Sequence, residues 1–490
     1  MARGLLFAAA VALAAACGPA SVDAQPSAPP PPPPEFASSG NADFDAWRDD
    51  FAARAVARGR DPAVLARLLS GLSPDQRVIE LDQRQPEFVS PVWDYVTSRV
   101  SANRINAGLA LKAEIGDTLA AVEVRYGVDA DIILGIWGLE SNYGAAALNW
   151  APQAALATLA YEGRRRAQFE GYLLALVEMV ERGLADQEQL RSSWAGAMGQ
   201  PQFMPDVYLT TAVDWDGDGH RDIWTNRGDV AASIANYLKD RGWRAGEPVF
   251  DEVRLPAGFD YALADGTTRA VSDWQNRGIR RIDAADWTSS ERALQAQLFL
   301  PAGAQGPALL LYPNFAVIRR YNASDRYALV VALLARAFEG HDGLQQGWPR
   351  HVGSLNREEV LELQTLLNGL GYNAGAPDGL FGSATRRAVR AFQTAQGAPA
   401  DGFPTEALLI DVRTRAGVVT EVAEPQPLGR AGIRELQRLL NRLGYNAGRA
   451  DGEVGPSTRA AIRAFERAQG LEVRGRATDT VLNAARAAAG

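Results

Sequence analysis

Residues Asp129 to Gly144 read DADIILGIWGLESNYG. Ile133, Ile136, Trp137 and Glu140 fall at i, i+3, i+4 and i+7, on one face of a helix. That helix carries a carboxyl group near the end of an apolar stripe, with Gly144 as the expected C-cap. Taking a carboxylate out of water disfavours its charged form and raises its pKa. A carboxylic acid that keeps its proton near neutral pH is what a general acid at a glycosidic oxygen requires. Periodicity alone leaves another reading open, a helix-end glutamate that turns back to solvent.

The segments further along the chain decide between the two. Ser193 to Pro205 reads SWAGAMGQPQFMP, Ala235 to Leu238 reads ANYL, and Ile318 to Asn322 reads IRRYN. With Glu140-Ser141-Asn142-Tyr143-Gly144, these motifs closely resemble the membrane-bound lytic transglycosylase B family, and the match covers most of the first domain. The resemblance implies a mainly α (α+β), lysozyme-like catalytic domain with a small β part. It implies that Glu140 is catalytic and that Ser193 hydrogen-bonds near the acid. It places Gln202, Tyr237, Tyr321, Asn322 and Tyr327 along a sugar-binding cleft. Tyr237 and Tyr327 lie inside helical patterns, so a buried ring with a satisfied hydroxyl is the alternative for each. Pro201 stands where some members carry glycine.

Conventional glycosidases use two carboxyl groups, whereas these motifs supply one. The resemblance implies chemistry without a cofactor, in which Glu140 acts as acid and then as base. The MurNAc–GlcNAc β-1,4 bond of peptidoglycan is cut, and the muramoyl C6 hydroxyl closes a 1,6-anhydro ring. Two alternatives stand beside it: a hydrolytic muramidase, with a second carboxylate brought in by folding, and a non-catalytic wall-binding scaffold.

Asp214-Trp215-Asp216-Gly217-Asp218-Gly219-His220-Arg221-Asp222 matches the start of an EF-hand loop. Asp214, Asp216 and Asp218 take positions 1, 3 and 5, His220 offers a backbone carbonyl at 7, and Asp222 stands at 9. Hard oxygens at this alternation suit a structural Ca²⁺, although Thr225 replaces the usual glutamate at position 12. A plain Asp/Gly turn is the simpler alternative.

The C-terminal part is duplicated. Leu370-Gly371-Tyr372-Asn373-Ala374-Gly375 recurs as Leu443 to Gly448, and Asp378-Gly379, Thr385 and Phe392 recur as Asp451-Gly452, Thr458 and Phe465. Each pair is 73 positions apart, and a constant offset marks a duplication. Each copy reads as a three-helix unit and resembles the peptidoglycan-binding-domain-1 family, with the Asp-Gly pairs as turn formers. The expected organisation is a catalytic domain over 41–347, modules over 355–411 and 429–490, and a linker over 412–428.

At the N-terminus, Arg3, the apolar run Leu5 to Leu13 and three alanines precede Cys17, the only cysteine of 490 residues. This is a signal-peptide pattern, and the alanine-flanked cysteine resembles a lipobox, so Cys17 is the expected lipid anchor. Residues 18–40 read as a linker, in which Pro29 to Pro34 favour extended polyproline II. The expectation is a periplasmic lipoprotein, on the outer membrane because Gly18 is not an aspartate, with simple secretion as the alternative. The net charge of −8 and the scatter of basic residues among acids argue against nucleic-acid binding. The expected partners are peptidoglycan glycan strands and a membrane, with the chain a monomer.

Overall fold

The apolar segment forms a helix over Ala130–Ser141, and the Asp129 side chain caps it by accepting from the Asp131 amide. The structure is a computed structural model that describes residues 31–83, 91–185, 189–353, 355–418, 426–471 and 473–489. Cys17 and the signal pattern lie outside the described residues. Every residue from Ala130 to Gly138 is buried, which corrects the expectation of a single apolar stripe. Helices Ala102–Glu114, Gly116–Tyr126, Arg227–Asp240 and Asp325–Phe338 pack against it from different sides. A helix enclosed in this way needs apolar residues all round.

Its end also differs from expectation. Asn142 takes the left-handed position at φ 49, and its amide donates to the Gly138 carbonyl. Asparagine tolerates this conformation because its short polar side chain bonds locally. Gly144 comes two residues later, after Tyr143, which is also left-handed at φ 59.

Residues Pro91 to Tyr126 carry apolar residues at helical spacing and fold as three helices, Val92–Arg99, Ala102–Glu114 and Gly116–Tyr126. Ser101 starts the second by accepting from the Arg104 amide. The expected spacer also ends earlier than composition suggests. Phe36 packs on the main core under the Arg48 guanidinium, and Ser38 and Ser39 bond to Asp45. Residues 36–40 are therefore tied to the helix Ala42–Ala57 rather than belonging to the linker.

The small β part is one antiparallel sheet of β1 (Phe250–Arg254), β2 (Thr268–Ala270), β3 (Arg280–Arg281), β4 (Gln295–Phe299) and β5 (Ala308–Leu311), in the order β2-β4-β5-β1-β3. Phe250 pairs with Leu311 and Leu298 with Leu310. Val253, Trp274, Trp287, Leu298 and Leu310 give the sheet a core of its own. The outer face of the sheet leans on the helical core through Phe250, Leu309 and Leu311.

The two C-terminal modules have separate cores, around Leu363, Val389 and Phe392 in the first and Leu436, Ile462 and Phe465 in the second. Each is organised by a buried glutamine. Gln364 Nε2 donates to Asp378 Oδ1, Leu380 O and Thr385 Oγ1 at 2.9–3.0 Å, while its Oε1 accepts from the Gly379 amide. Gln437 makes the same set of bonds to Asp451, Glu453, Thr458 and Gly452. The third helix of the first module runs over Glu406–Arg415, with Val412 fully buried in its core. The connection between modules therefore begins after Arg415, later than position 412, because Val412 is core rather than linker.

Candidate active site

Glu140 lies in the last turn of the central helix, half-buried at the mouth of the helical core. Burial pushes its carboxyl up from 4.5 to about 7, against an opposing hydrogen bond from Tyr327. The Tyr327 hydroxyl donates to Glu140 Oε1 at 2.6 Å. Burial and the nearby Glu140 carboxylate hold the Tyr327 hydroxyl well above its ordinary pKa. It therefore stays a donor across the working pH range. Among the described residues, no second carboxylate perturbs Glu140.

Two local features bring these groups together. Ser324 caps the helix Asp325–Phe338 by accepting from the Tyr327 amide, which sets Tyr327 in its first turn. Gly135 lets this helix approach the central one closely, since a Cβ there would lie 2.8 Å from the Val331 carbonyl.

The segment from Ser192 to Phe203 folds as two tight turns beside the helix end. Met198 and Phe203 exchange both backbone hydrogen bonds, and the Ser193 amide donates to Ala197 O at 2.8 Å. No bond from the Ser193 hydroxyl to Glu140 occurs among the described residues; the partner of the acid is Tyr327 instead. Gln202 is left-handed at φ 54, with its side-chain amide donating to Gly199 O. Three of the four described non-glycine residues with positive φ, Asn142, Tyr143 and Gln202, thus lie on the two segments around the acid. Such strain persists only where the surroundings over-determine it, and it clusters at functional sites.

Gln200, which sequence reasoning did not single out, does that fastening. Its Oε1 accepts from Trp137 Nε1 at 2.8 Å and its Nε2 donates to the Trp224 carbonyl at 2.7 Å. It links the central helix to the turn segment and onward. Its signal was its place in the motif between Gly199 and Gln202; its distance from Trp137 in sequence hid the contact.

Tyr237 and Tyr321 meet with ring centroids 4.6 Å apart, beside Phe203. Both hydroxyls donate to main-chain carbonyls, Tyr237 to Arg320 at 2.5 Å and Tyr321 to Pro201 at 2.6 Å. The buried-ring alternative therefore describes Tyr237, and Tyr321 pins the turn at Pro201. Asn322 is exposed, and its Oδ1 accepts from the Ser324 amide.

The acidic loop gathers differently from its EF-hand register. Asp214, Asp216 and Asp229 bring carboxylate oxygens within 4.8 Å of one another. Asp218, His220 and Asp222 do not join this cluster. Asp218 instead accepts from the His220 amide, and Asp222 from Trp224 and Thr225. Asp229 is fully buried in the first turn of the helix Arg227–Asp240, and its two oxygens accept from the Trp215 and Asp222 amides. Burial, with Asp214 and Asp216 adding to it, pushes its carboxyl up to about 6. Sequence reasoning missed Asp229 because it lies beyond the twelve-residue loop. Three converging carboxylates, one of them buried, are hard oxygen donors that fit a divalent cation.

A helical core that presents one proton-retaining carboxyl beside a small antiparallel sheet defines a lysozyme-like lytic transglycosylase. The chain belongs to the transglycosylase SLT domain family, which it matches over residues 43–336. It also matches the peptidoglycan binding domain family over residues 356–409 and 429–485. Membrane-bound lytic murein transglycosylase B of Escherichia coli (strain K12) is 31% identical over 280 residues, spanning 55% of this chain and 73% of that one. SltB3 from Pseudomonas aeruginosa, solved in complex with NAG-anhNAM-pentapeptide, superimposes with a TM-score of 0.73 at 45% identity, covering 76% of this chain and 100% of that one. Lytic transglycosylase Slt35 from Escherichia coli, solved in complex with calcium, matches at 30% identity and a TM-score of 0.52, over 61% of this chain and 93% of that one.

Proposed function

We propose that the chain cleaves the MurNAc–GlcNAc β-1,4 bond of peptidoglycan and leaves 1,6-anhydroMurNAc ends, with Glu140 as acid and then base. The Glu140 proton passes to the bridging oxygen as the C1–O bond breaks. The resulting carboxylate takes the proton of the muramoyl C6 hydroxyl, whose oxygen bonds to C1. One proton leaves Glu140 and one returns, so no water is consumed. The observation that carries this reading is Glu140 itself: a carboxyl at about 7, held by Tyr327, with no second carboxylate perturbing it among the described residues. A two-carboxylate hydrolase needs its partner acid within about 5–10 Å. The substrate-binding roles of Ser193, Gln202, Tyr237, Tyr321, Asn322 and Tyr327 belong to the same proposal. For Tyr237 and Tyr321 the role is to shape the cleft wall through ring and backbone rather than through the hydroxyl.

Asp214, Asp216 and Asp229 would hold a Ca²⁺, which would fasten the loop to the helix Arg227–Asp240; the cation is structural and takes no step in the reaction. Cys17 as lipid anchor would place the enzyme at the periplasmic face of the envelope. No helix among the described residues is long and apolar enough to cross a membrane.

Mass spectrometry of muropeptides released from sacculi, with Glu140→Gln alongside, tests the mechanism. We expect anhydromuramoyl products from the native chain and none from the variant. Reducing-end products would mean that water is the nucleophile. Binding to sacculi without release by either protein would make the chain a scaffold.

A further inference from the structure

The first module is built onto the catalytic domain. Asp401 Oδ2 accepts from the Ala304 amide at 2.7 Å, and Arg390 donates to the Ala264 carbonyl at 2.5 Å. Phe403 packs on the main helical core rather than on its own module's core. The fit is close: Gly303 is left-handed at φ +69, and a Cβ there would lie 2.6 Å from both Asp401 Oδ2 and Phe403 Cβ. The second module carries Arg474 and Arg476 at the positions of Asp401 and Phe403, both exposed. The second copy instead meets the turn Arg350–Val352 through its last helix, Asp479–Ala489, so the grip on the turn at Gly303 belongs to the first copy alone.

The docked surfaces enclose a cavity of about 490 Å³. Phe299, Pro301 and Arg326 wall it from the catalytic side, and Phe381, Arg386 and Phe403 from the module. Its catalytic wall includes Ala323 to Arg326, the turn between Tyr321-Asn322 and the Tyr327 that holds Glu140. The volume lies in the range of ligand sites, and so does the mix of apolar walls with a few charged groups.

The charges in it are unbalanced. Arg326, Arg357 and Arg386 line the cavity against one carboxylate, Asp325, which pairs with Arg319 at 2.9 Å. The Arg386 guanidinium makes no hydrogen bond or ion pair among the described residues; its contact is the Phe381 ring, 5.2 Å from centroid to guanidinium carbon. Burial pulls both Arg386 and Arg326 below their ordinary pKa. Asp401 and Asp325 act on the Arg386 guanidinium through space without bonding to it, so its N–H groups stay open to the direct bond of an anion. The Arg459 that matches it in the second copy is exposed and has no such need.

We propose that this cavity receives the acidic peptide branch of a muramoyl sugar whose glycan strand occupies the Glu140 cleft, with Arg386 binding a peptide carboxylate. The proposal rests on the glycan-cleaving reading of Glu140 given above. It makes the first module a specificity element of the active site rather than a tether.

The test compares kcat/KM on peptide-bearing glycan strands and on strands stripped of peptide by an amidase, for the native chain, Arg386→Ala and Arg386→Lys, with Glu140→Gln as blank. We expect the native chain to favour peptide-bearing strands by about tenfold, the scale of one charge-assisted hydrogen bond. Arg386→Ala should lose that preference while cutting stripped strands at the native rate, and Arg386→Lys should recover part of it. Unchanged preference in Arg386→Ala would overturn the proposal. So would an equal loss on both substrates, which would make Arg386 merely structural. If the native chain cuts neither substrate, the fault lies in the reading of Glu140 instead.

Discussion

Glu140 shows what a single residue contributes. The sequence placed it on a helix among apolar neighbours, and the raised carboxyl pKa followed from burial alone. The residue that tunes it, Tyr327, was legible only as a member of the cleft; a separation of 187 positions hid the direct bond. That bond lowers the Glu140 pKa, so removing it raises the pKa further. An acid must be protonated to act, so activity falls as pH rises through its pKa. Tyr327→Phe should therefore move the alkaline limb of the kcat/KM profile to higher pH. It should also lower the maximum about tenfold, because the carboxylate that the proposed first step leaves on Glu140 would lose its donor. A limb that stays in place in the variant would mean that another group sets it. Ser193 shows the opposite case. Its position was inferred by resemblance, and its amide closes a turn while its hydroxyl makes no bond to the acid among the described residues.

At the scale of elements, periodicity found the central helix and the repeat found the three-helix modules, because each signal is local. What it missed was where elements meet. The central helix was read as half-covered, since four surrounding helices leave no mark on its own sixteen-residue stretch. The acidic loop shows the same limit: the motif supplied Asp214 and Asp216, but Asp229 joins them from a helix that starts after the loop has ended. A cation there would tie two elements together and raise stability by mass action. Millimolar Ca²⁺ should raise the melting temperature of the catalytic domain by several degrees, about 1–3 kcal/mol of linkage. Asp229→Asn should abolish the rise, and Asp218→Asn should leave most of it. If Asp218→Asn is the more damaging of the two, the EF-hand register governs the site after all. Thermal melts with and without chelator read this directly.

For the molecule as a whole, the duplication was fully legible, because a constant spacing survives divergence. The four separate cores were partly so: two followed from the repeat, whereas the split between helical and sheet cores needed the tertiary contacts. Separate cores mean that unfolding need not be two-state. Gln437→Ala would strand the Gly452 amide inside the second module and take from Thr458 Oγ1 the donor it accepts from, leaving only its own bond to the Ala447 carbonyl. Leaving buried polar groups unpaired costs about 2–3 kcal/mol, or roughly 10 °C in a module of this size. Calorimetry should show one transition moving down by that amount while the catalytic transition stays put. A common shift of all transitions would mean that the modules and the enzyme melt as one unit.

The grip on the turn at Gly303, made by the first copy alone, has a genetic corollary. Two tandem repeats in constant register invite unequal recombination, which deletes one copy and leaves a hybrid of both. A junction upstream of position 401 gives the hybrid the arginine of position 474 where Asp401 stood. It then faces the Ala304 amide, a donor against a donor, and the hybrid comes loose. A junction downstream of Phe403 keeps the carboxylate and the aromatic ring that grip the turn at Gly303. Lineages that shed a repeat should therefore retain the first copy through Phe403, so the order of the repeats is under selection even where their folds are interchangeable.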